Sequence, residues 1–395
     1  MDLKLENIIV WTGSFYPRIG GLENASLEYA NYLNEKGHNV KIITNKYPLN
    51  LNSKDHINGI VIRRFRFFHS PINYLRKLRL DLFIGWVFFK IFTIAQLIVY
   101  FYKKKPKIVN LHFPDHQLFE ILLLKIFFEF DLIVNLHGSE IDRLKYLKRT
   151  NLKYLFYQKI LKNSKFIIAC SKSLLNETFS LFPEIDFNKC KVVYNGVNDS
   201  FFHNKANTVK RDYIFSAMRF IPKKGLDLMI KSLNDLKLKN NIIIAGGDKK
   251  DAEKLLGKMK TDLSINFTGK LETKSIFMYL KDSRLTIIPS RKEPYGIFLA
   301  EALCCGSSIV VTNVGGIPEV ISLAKTNLNE KQKKIFDSFV KVVPPNIHSI
   351  SKSINVLLQN SKENDDYIKL TPIIRKNFEW KIILGNFYKL IRLDI

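Results

Sequence analysis

The sequence predicts an α/β protein made of two doubly wound parallel-sheet domains. Its 395 residues exceed what one hydrophobic core usually supports, so two domains of similar size are expected. Apolar, β-branched runs alternate with helix-like segments along almost the whole chain, which is typical of buried parallel strands joined by crossover helices. Both patterns lapse in the polar stretch 198–210, where we place the join. In chain order the predicted strands are ENIIVWT, NVKIITN, KIVNLHF, DLIVNLHG, KFIIACS, KVVYNG, DYIFSAM, NIIIAGG, INFTGK, RLTIIPS and SSIVVTN.

A pair of glycines follows the first predicted strand. NIIVWT runs into GSFYPRIGG, and a helix is predicted to begin near Leu22 with Glu23 in its first turn. Gly20 and Gly21 let the backbone turn tightly and approach a ligand without interference from a Cβ atom. The spacing is that of neither GxGxxG nor a P-loop, which disfavours an ordinary dinucleotide fold and a nucleoside triphosphatase. A phosphate-contacting loop and a plain strand-to-helix turn both fit.

The N-terminal half holds a long apolar run from Leu82 to Tyr102 between basic clusters. Lys90, Thr93 and Gln96 share one sector of the helix predicted there, which indicates an amphipathic helix and not a membrane span. Two roles stay open: packing on the sheet, or attachment to an anionic membrane surface. The flanking clusters are RRFRFF (63–68), YLRKLRL (74–80), which contains Arg76, Lys77 and Arg79, and YKKKPK (102–107).

The whole chain is strongly basic. Lys and Arg outnumber Asp and Glu by 62 to 36, a formal excess of 26 positive charges that must attract an anionic partner or surface. Nucleic acid would suit this charge, but no nucleic-acid motif accompanies it, so no nucleic-acid partner is expected. An anionic membrane surface is the favoured partner of the N-terminal clusters.

A histidine ends a later strand of the N-terminal half. DLIVNLHGSE places His137 on the loop after a predicted strand, and ligands of open α/β sheets gather at the carboxyl ends of strands. We therefore predict a functional role for His137. His112 and His116 are four residues apart, but Pro114 interrupts the helix that would align them, so no metal site is predicted.

Cysteine usage and the first residues indicate a reducing cytoplasm. Cys170, Cys190, Cys304 and Cys305 show no Cys-x-x-Cys spacing, and the chain opens with MDLKLEN instead of a basic and apolar signal peptide. The adjacent Cys304 and Cys305 are expected to be buried as small hydrophobic residues.

The second half opens on basic residues beside glycines. DYIFSAMRFIPKKGLDLMI places Arg219 after a strand, with Lys224 and Gly225 at the start of the next helix. Such cations can clamp a diphosphate, arginine through a fork of donors and lysine as a point charge. The run IIIAGGD then ends a further strand at Gly246 and Gly247, where a nucleotide could lie close to the backbone.

Two carboxylates bracket a helix start in EPYGIFLAE. Glu293 lies in a turn with Gly296, and Glu301 falls about one turn into the helix predicted from IFLAEALCC. The helix start offers backbone N–H groups to a phosphate, which leaves the carboxylates to bind neutral hydroxyls. That layout matches a sugar nucleotide, and two solvated acids at a helix start are the alternative.

Taken together, these motifs resemble the GT4 family of retaining glycosyltransferases. The resemblance covers about residues 7 to 322, and FEWKIILGNFYKLIRL resembles the family's closing helix. It implies the GT-B fold: residues 1–200 as an acceptor domain, 211–378 as the nucleotide-sugar donor domain, facing across a cleft, and a helix at about 379–395 that packs back on the first. The motifs that carry it, after the first GG, are GHNVKIIT, HGSE, YNGVN, RFIPKKG, IAGGD, FTGK, EPYGIFLAEALCCG and NVGGIPEVI.

The resemblance implies roles for the donor domain. Arg219 and Lys224 would neutralise the donor diphosphate as the bond between sugar and phosphate breaks. Glu293 would hold hydroxyls of the transferred sugar, and Glu301 would accept hydrogen bonds from the ribose. The backbone N–H groups of Ile297 and Phe298 would meet phosphate or sugar oxygens.

The resemblance also implies a front-face reaction without a covalent nucleophile, and it implies roles for residues of the acceptor domain. Gly20 and Gly21 resemble the glycine loop that closes on the diphosphate, and His137 would lie near the anomeric carbon. Asp-x-Asp is missing, which fits a family that uses side-chain cations, so neither a metal nor another cofactor is expected.

The sequence thus predicts a cytoplasmic, membrane-associated glycosyltransferase that moves a hexose from a UDP or GDP sugar to a lipid-linked or surface saccharide. The alternatives are a sugar-nucleotide epimerase on a similar scaffold and a non-catalytic protein that binds anions or nucleic acid. One departure from the family pattern concerns recognition of the base. SLAKTNLNEKQKKIFDSFVKVV replaces the usual short loop and Gly-Leu-Val strand after GGIPEVI, which leaves the choice between UDP and GDP open.

Overall fold

The chain folds into two compact units. Unit 1 comprises Met1–Tyr194 and Leu384–Ile395, and unit 2 comprises Asn195–Ile383. The chain thus leaves unit 1 shortly before the predicted join at 198–210, of which 202–210 lie outside the described residues. The computed structural model describes residues 6–18, 20–67, 79–115, 117–201, 211–236, 238, 240–257, 261–359 and 365–392.

Unit 1 is built on a sheet of eight strands. They are β1 (Asn7–Thr12), β2 (Asn39–Asn45), β3 (Lys54–Ile57), β4 (Ile60–Phe65), β5 (Ile108–His112), β6 (Asp131–Leu136), β7 (Phe166–Ala169) and β8 (Cys190–Val192). Their order is β3-β4-β2-β1-β5-β6-β7-β8, and every neighbouring pair except β3 and β4 is parallel. The central strands β1, β5 and β6 are almost wholly buried, as parallel strands covered on both faces must be.

The helices of unit 1 connect these strands. They are α1 (Gly21–Glu35), α2 (Leu80–Lys104), α3 (Leu118–Phe127), α4 (Ser139–Leu144), α5 (Leu152–Asn163) and α6 (Lys172–Leu181). Because β1, β5 and β6 are parallel neighbours, the segments that follow β1 and β6 leave the sheet at the same edge. That edge carries Gly20 and His137.

Unit 2 is a parallel sheet of six strands with helices between them. Its strands are β9 (Arg211–Ala217), β10 (Asn241–Ala245), β11 (Ile265–Phe267), β12 (Ser283–Ile288), β13 (Ile309–Thr312) and β14 (Val340–Val343), in the order β11-β10-β9-β12-β13-β14. Its helices are α7 (Leu226–Asp235), α8 (Lys249–Leu256), α9 (Thr273–Asp282), α10 (Ile297–Cys304), α11 (Ile317–Ala324), α12 (Glu330–Phe339), α13 (Ile347–Gln359), α14 (Asp365–Ile368) and α15 (Thr371–Asn377). The last helix, α16 (Trp380–Arg392), joins unit 1 from Leu384 onward.

The core of unit 2 forms where α7 and α13 pack on the sheet. Met229 from α7, Ile354 from α13 and Leu285 from β12 are fully buried in one apolar cluster. Both helices present apolar residues at three- and four-residue spacing, which creates the stripe that meets the sheet.

Every strand predicted from the sequence is present, and the described residues contain three further strands that were not predicted. The edge strand β3, KDHI, is polar and half-exposed, so it lacks the apolar alternation that identifies buried strands. Strand β4 contains part of the RRFRFF cluster, and β14 lies within the charged segment after GGIPEVI. In both, basic residues interrupt an otherwise apolar run.

The long helix α2, whose orientation the sequence left open, turns part of its polar sector inward. Lys90 and Thr93, two of the three residues that define its polar sector, are buried, while Gln96 and most of the apolar residues are exposed. The polar side chains find partners inside unit 1: Lys90 pairs with Glu120, and Thr93 Oγ1 donates to the Arg66 carbonyl oxygen across 3.2 Å. Helix α2 has 25 residues, and the mean hydropathy of its most apolar 18-residue window is 2.1, so it is long and apolar enough to cross a membrane.

Candidate active site

Two of the predicted catalytic side chains of unit 2 are in direct contact. Lys224 Nζ donates to Oε2 of Glu293 across 2.5 Å, and Ser290 Oγ donates to the same oxygen across 3.1 Å. The side chains of Lys224 and Glu293 are 18% and 12% exposed, which leaves them accessible but partly shielded from water. An anionic ligand that binds Lys224 would displace Glu293, whose oxygens could then accept hydrogen bonds from hydroxyl groups.

Close backbone packing holds the turn that carries Lys224. Residues Pro222–Lys224 form one 3₁₀ turn, which Gly225 ends at a φ of 72°. A Cβ atom on Gly225 would lie 2.0 Å from the carbonyl oxygen of Pro289. Glycine is therefore required, and the lysine turn lies directly against the segment that leaves β12.

Two glycines that the sequence analysis did not assign to the site hold the backbone of Glu293. The Gly316 N–H donates to the Glu293 carbonyl oxygen across 2.9 Å. Gly315 has a φ of 53°, and a Cβ atom there would lie 2.0 Å from the same oxygen. The sequence signal is the GG pair before a predicted helix in NVGGIPEVI, because paired glycines permit such close backbone contact.

The helix that follows Glu293 begins without a side-chain cap. Gly296 is its N-cap residue, with a φ of 111° and no side chain to accept from the first turn. The N–H groups of Ile297 and Phe298 therefore have no acceptor within the helix. Their predicted contact with phosphate or sugar oxygens fits this geometry and stays a prediction.

Glu301 lies on the same helix and is largely enclosed. Burial raises the pKa of its carboxyl group to about 8, since no charged partner offsets the loss of solvation. At neutral pH the group therefore holds its proton in the ligand-free protein. A protonated carboxyl can both donate to and accept from a hydroxyl pair, which is compatible with the predicted ribose contact.

The segment around Arg219 packs against the glycines after β10. A Cβ atom on Gly246 would lie 1.8 Å from the carbonyl oxygen of Met218, and one on Gly247 would lie 2.6 Å from the ring of Phe220. These glycines thus have a packing role, and their predicted donor contact stays a prediction. The Arg219 side chain is exposed, whereas Lys224 pairs with Glu293.

In unit 1 the predicted residue His137 contacts a second histidine. His137 Nε2 lies 3.2 Å from His112 Nδ1, and the two rings are stacked with their centroids 5.4 Å apart. Burial lowers the pKa of His137 to about 4 and that of His112 well below its usual value, so both rings are neutral near pH 7. One ring must then donate its single N–H to the other.

The loop after His137 is fixed by a buried acid. The His137 backbone N–H donates to Oε1 of Glu140 across 2.5 Å. Burial raises the pKa of Glu140 to about 7, partly opposed by its backbone hydrogen bonds. Neither His112 nor Glu140 was assigned to the site from the sequence, although HGSE and NLHF contain them.

Gly20 and Gly21 lie at the same sheet edge as His137, as expected from strand order. Gly20 is extended and is the N-cap residue of α1, which begins at Gly21. A Cβ atom on Gly20 would meet the end of the Glu23 side chain at 2.7 Å. Because that side chain can rotate away, the geometry does not by itself require glycine here.

The cysteines are buried, and the described residues form no metal-binding cluster. All four cysteines are buried thiols, including Cys304 and Cys305 as predicted. Across the described parts of the chain, no three His, Cys, Asp or Glu side chains gather as a metal site would require. His116 lies outside those parts.

Two family models match the chain, one on each half. The model described as Glycosyltransferase Family 4 matches residues 19–201, and the model described as Glycosyl transferases group 1 matches residues 198–372. An uncharacterised glycosyltransferase of Methanocaldococcus jannaschii is 29% identical over 337 residues, covering 80% of this chain and 82% of that protein.

More distant similarity extends over nearly the whole chain. One component of the Homo sapiens phosphatidylinositol N-acetylglucosaminyltransferase is 23% identical over 377 residues, covering 89% of this chain and 73% of that protein. Anabaena HepE, solved in complex with UDP and glucose, superposes with a TM-score of 0.71 at 14% identity, over 98% of this chain and 99% of that chain.

The fold of two Rossmann-like units and these matches define a glycosyltransferase of the GT-B class. Within that class, the chain belongs to the GT4-type group 1 glycosyltransferases. The predicted family and fold class are confirmed, and the alternatives of an epimerase or a non-catalytic binding protein are not favoured.

Proposed function

We propose that this protein is a retaining, metal-independent glycosyltransferase that moves a hexose from a UDP or GDP sugar to a lipid-linked or surface saccharide. The observation that carries the proposal is the contact between Lys224 and Glu293. It places a cation suited to phosphate beside a carboxylate suited to sugar hydroxyls, on backbone segments that glycines hold in close contact. A nucleotide sugar presents both groups on adjacent parts of one molecule.

The donor would be held by charge on one side and by neutral hydrogen bonds on the other. Lys224 and the exposed Arg219 would bind the diphosphate, and the N–H groups of Ile297 and Phe298 would add donors at the start of α10. Once Lys224 turns to phosphate, Glu293 accepts from the hydroxyls of the hexose. Further along the helix, Glu301, whose carboxyl group burial keeps protonated, would contact the ribose.

The transfer step needs no group beyond the two substrates and these side chains. The bond between the anomeric carbon and the phosphate oxygen breaks, and the acceptor oxygen bonds to the same face of that carbon. The proton of the acceptor hydroxyl passes to the departing phosphate. Lys224 and Arg219 stabilise the charge that grows on that phosphate, which lowers the barrier. No metal or other cofactor is required for this balance.

Residues of unit 1 would act near the reacting carbon. His137 is neutral because burial depresses its pKa to about 4, so it would add no like charge next to a developing oxocarbenium ion. Its contact with His112 fixes the ring orientation. The loop at Gly20 and Gly21 leaves the same edge of the sheet and would close on the diphosphate.

The acceptor is inferred from similarity to known proteins, and the cellular location is inferred from the surface of unit 1. The human relative is named for transfer to phosphatidylinositol, and the Anabaena neighbour was solved with UDP, which support a lipid-linked acceptor and a UDP donor. The basic, exposed surface of unit 1 supports a peripheral position on the inner face of the cell membrane. A cytoplasmic location follows from this proposal.

A panel of UDP and GDP sugars tests donor binding through the melting temperature, which rises for a ligand that binds the folded protein. Lys224→Met and Glu293→Gln should abolish that rise and lower turnover by about 100-fold or more. Their own melting temperatures should change little, because both side chains keep access to water, at 18% and 12% exposed, and each replacement preserves the size of the side chain. Lys231→Met and Glu272→Gln, exposed in the same unit, are the matched controls.

Product stereochemistry tests retention. With an α-linked donor, the anomeric proton of the new saccharide should show the α configuration by NMR. A β product would contradict the front-face reaction. If no sugar nucleotide shifts the melting temperature, or if EDTA removes turnover that Mg²⁺ restores, the corresponding part of the proposal is wrong.

A further inference from the structure

We propose that helix α2 lies in the plane of an anionic lipid leaflet, with its apolar side in the lipid and its polar sector turned into unit 1. This inference rests on the proposed membrane-face function and specifies which surface is in contact and in what orientation. The outer face of α2, as we call it, is one stripe of exposed residues at helical spacing: Ile84, Phe88, Ile91, Val99 and Tyr102.

The inverted polarity of the helix is the first observation. Lys90, Thr93, Leu97 and Phe101 are buried and lie on the side opposite the outer face. A surface helix in water places its apolar stripe against the core and its polar side outward. Helix α2 instead exposes an apolar stripe and buries the polar side chains of Lys90 and Thr93, and only 17% of its most apolar window is buried. An apolar environment outside the protein accounts for this arrangement.

Neighbouring helices enlarge the apolar surface. Helix α3 exposes Phe119, Ile126 and Phe127, and α5 exposes Leu152 and Leu155. The Lys90 ammonium lies 5.6 Å from the centroid of the Phe119 ring, and that ring lies 6.0 Å from the ring of Phe156 on α5. The three helices are therefore neighbours in unit 1, and each of them exposes large apolar side chains.

Positive charge around this surface favours binding to an anionic lipid leaflet. The Arg66 guanidinium lies 6.0 Å from the centroid of the exposed Phe89 ring. At the end of α2, Lys103 and Lys104 are exposed, and Lys105 and Lys107 follow. Apolar residues bordered by lysine and arginine are the pattern of helices that lie at the boundary between headgroups and acyl chains.

The buried ion pair decides between a helix that lies on the membrane and one that crosses it. Lys90 stands near the middle of α2 and pairs with Glu120 of α3, whose side chain is fully buried. A spanning helix would carry Lys90 into the hydrocarbon centre and leave Glu120 buried without its partner, and both changes are unfavourable. The pair therefore anchors α2 to unit 1 with the outer face away from the protein.

Depth-dependent fluorescence quenching tests the orientation. Single cysteines at Ile84, Phe88, Ile91 and Val99, and at Gln96 on the helix flank, would carry an environment-sensitive fluorophore. The full chain would be mixed with phosphatidylcholine vesicles containing phosphatidylglycerol, with quenchers at different depths of the acyl chain. An in-plane helix gives the same shallow depth along the outer face and less quenching at Gln96. A depth that rises and falls once along the helix, regardless of face, means a spanning helix and overturns the proposal.

Vesicle sedimentation tests the contact itself. Ile84→Ser with Phe88→Ser should reduce binding at least tenfold, whereas Phe187→Ser should leave it unchanged. Phe187 is a suitable control because it is 69% exposed, against 66% for Phe88, and lies outside the three helices. Equal losses from both, or no loss from the first pair, would overturn the proposal.

Charge is tested separately. Lys103→Gln with Lys104→Gln should weaken binding to anionic vesicles, and Lys249→Gln with Lys250→Gln, an equally exposed pair in unit 2, should not. If instead the protein dimerises through the outer face and ignores vesicles, sedimentation velocity shows it and the lipid proposal is wrong.

The donor panel keeps this inference distinguishable from the proposed function. Variants of the outer face should bind UDP or GDP sugars as the parent chain does, and Lys224→Met should still bind vesicles. If outer-face variants lose vesicle binding but still bind the donor, the proposed transferase function is unaffected. If the parent chain binds vesicles but none of the donor sugars, the proposed function alone is overturned.

Discussion

Replacing Glu301 by Gln should remove a pH-dependent loss of stability that the buried carboxyl group imposes. Burial raises the pKa of Glu301 from 4.5 to about 8. Between those values the folded state keeps the proton and the unfolded state releases it, so the unfolded state binds fewer protons. The free energy of unfolding therefore falls as pH rises from about 4.5 to about 8.

The size of this effect follows from the difference in pKa. One pKa unit corresponds to about 1.4 kcal/mol, and most of the titration lies between pH 5 and pH 8. Over that interval the parent chain should lose about 3 kcal/mol relative to Glu301→Gln, whose side chain does not titrate. At pH 5, ionisation of Glu301 should make little difference between the free energies of unfolding of the two proteins. At pH 8 the variant should be the more stable.

Urea unfolding at pH 5, 6.5 and 8 measures the difference in free energy of unfolding between the parent chain and Glu301→Gln. Glu272→Gln, an exposed glutamate of the same unit, controls for the loss of one negative charge. Parallel stability curves for the parent and Glu301→Gln would refute the reasoning, because they would mean that the folded carboxyl ionises at its ordinary pKa. Bound nucleotide sugar should flatten the dependence if the ribose solvates the carboxyl group.

Three further predictions concern packing and charge. Gly315→Ala should cost more than about 2 kcal/mol and abolish the donor-induced rise in melting temperature, since its Cβ would lie 2.0 Å from a backbone oxygen at a φ of 53°. Lys90→Met should lower the free energy of unfolding by about 3 to 5 kcal/mol, and adding Glu120→Leu should recover most of that loss. His112→Gln should move acid unfolding to lower pH, because burial lowers the pKa of this histidine and the parent loses stability as pH falls below about 6.5.

Each of these variants has a control or a contrary outcome. Gly59→Ala, at a φ of 78° with open space around it, should cost only about 1 kcal/mol by urea unfolding. Additive losses in Lys90→Met and Glu120→Leu would mean that the two side chains do not interact. If His112→Gln and the parent unfold at the same acidic pH, this histidine does not control acid stability.

Much of the fold could be predicted because its signals are local. Buried parallel strands such as NIIVWT and DLIVNL are continuous apolar runs, so they can be recognised without knowledge of their neighbours. The edge strand KDHI has no such signal, and only its pairing with IVIRRF makes it a strand. The glycines at 225 and 296 were likewise visible as turns before helices.

The candidate site was predictable in its residue types but not in its contacts. Lys224 and Glu293 are 69 positions apart, and the parallel order of β9 and β12 brings the segments after these strands together. The contacts of Gly315 and Gly316 with the Glu293 carbonyl oxygen likewise join residues far apart in the sequence. The sequence marked His137 by its place after a strand, while its contact with His112 depends on the pairing of β5 with β6.

By itself the sequence determined the family, the alternating α/β plan and the residues suited to phosphate and hydroxyl groups, because hydrophobic period and turn chemistry are properties of short segments. The tertiary structure alone decided which way α2 faces and which acids hold their protons. Helical periodicity located a polar sector on α2, but the buried Glu120 turned it inward. Nothing local to EPYGIFLAE distinguishes its two carboxyl groups. Glu293 has a lysine to pair with, whereas burial alone raises the pKa of Glu301 to about 8.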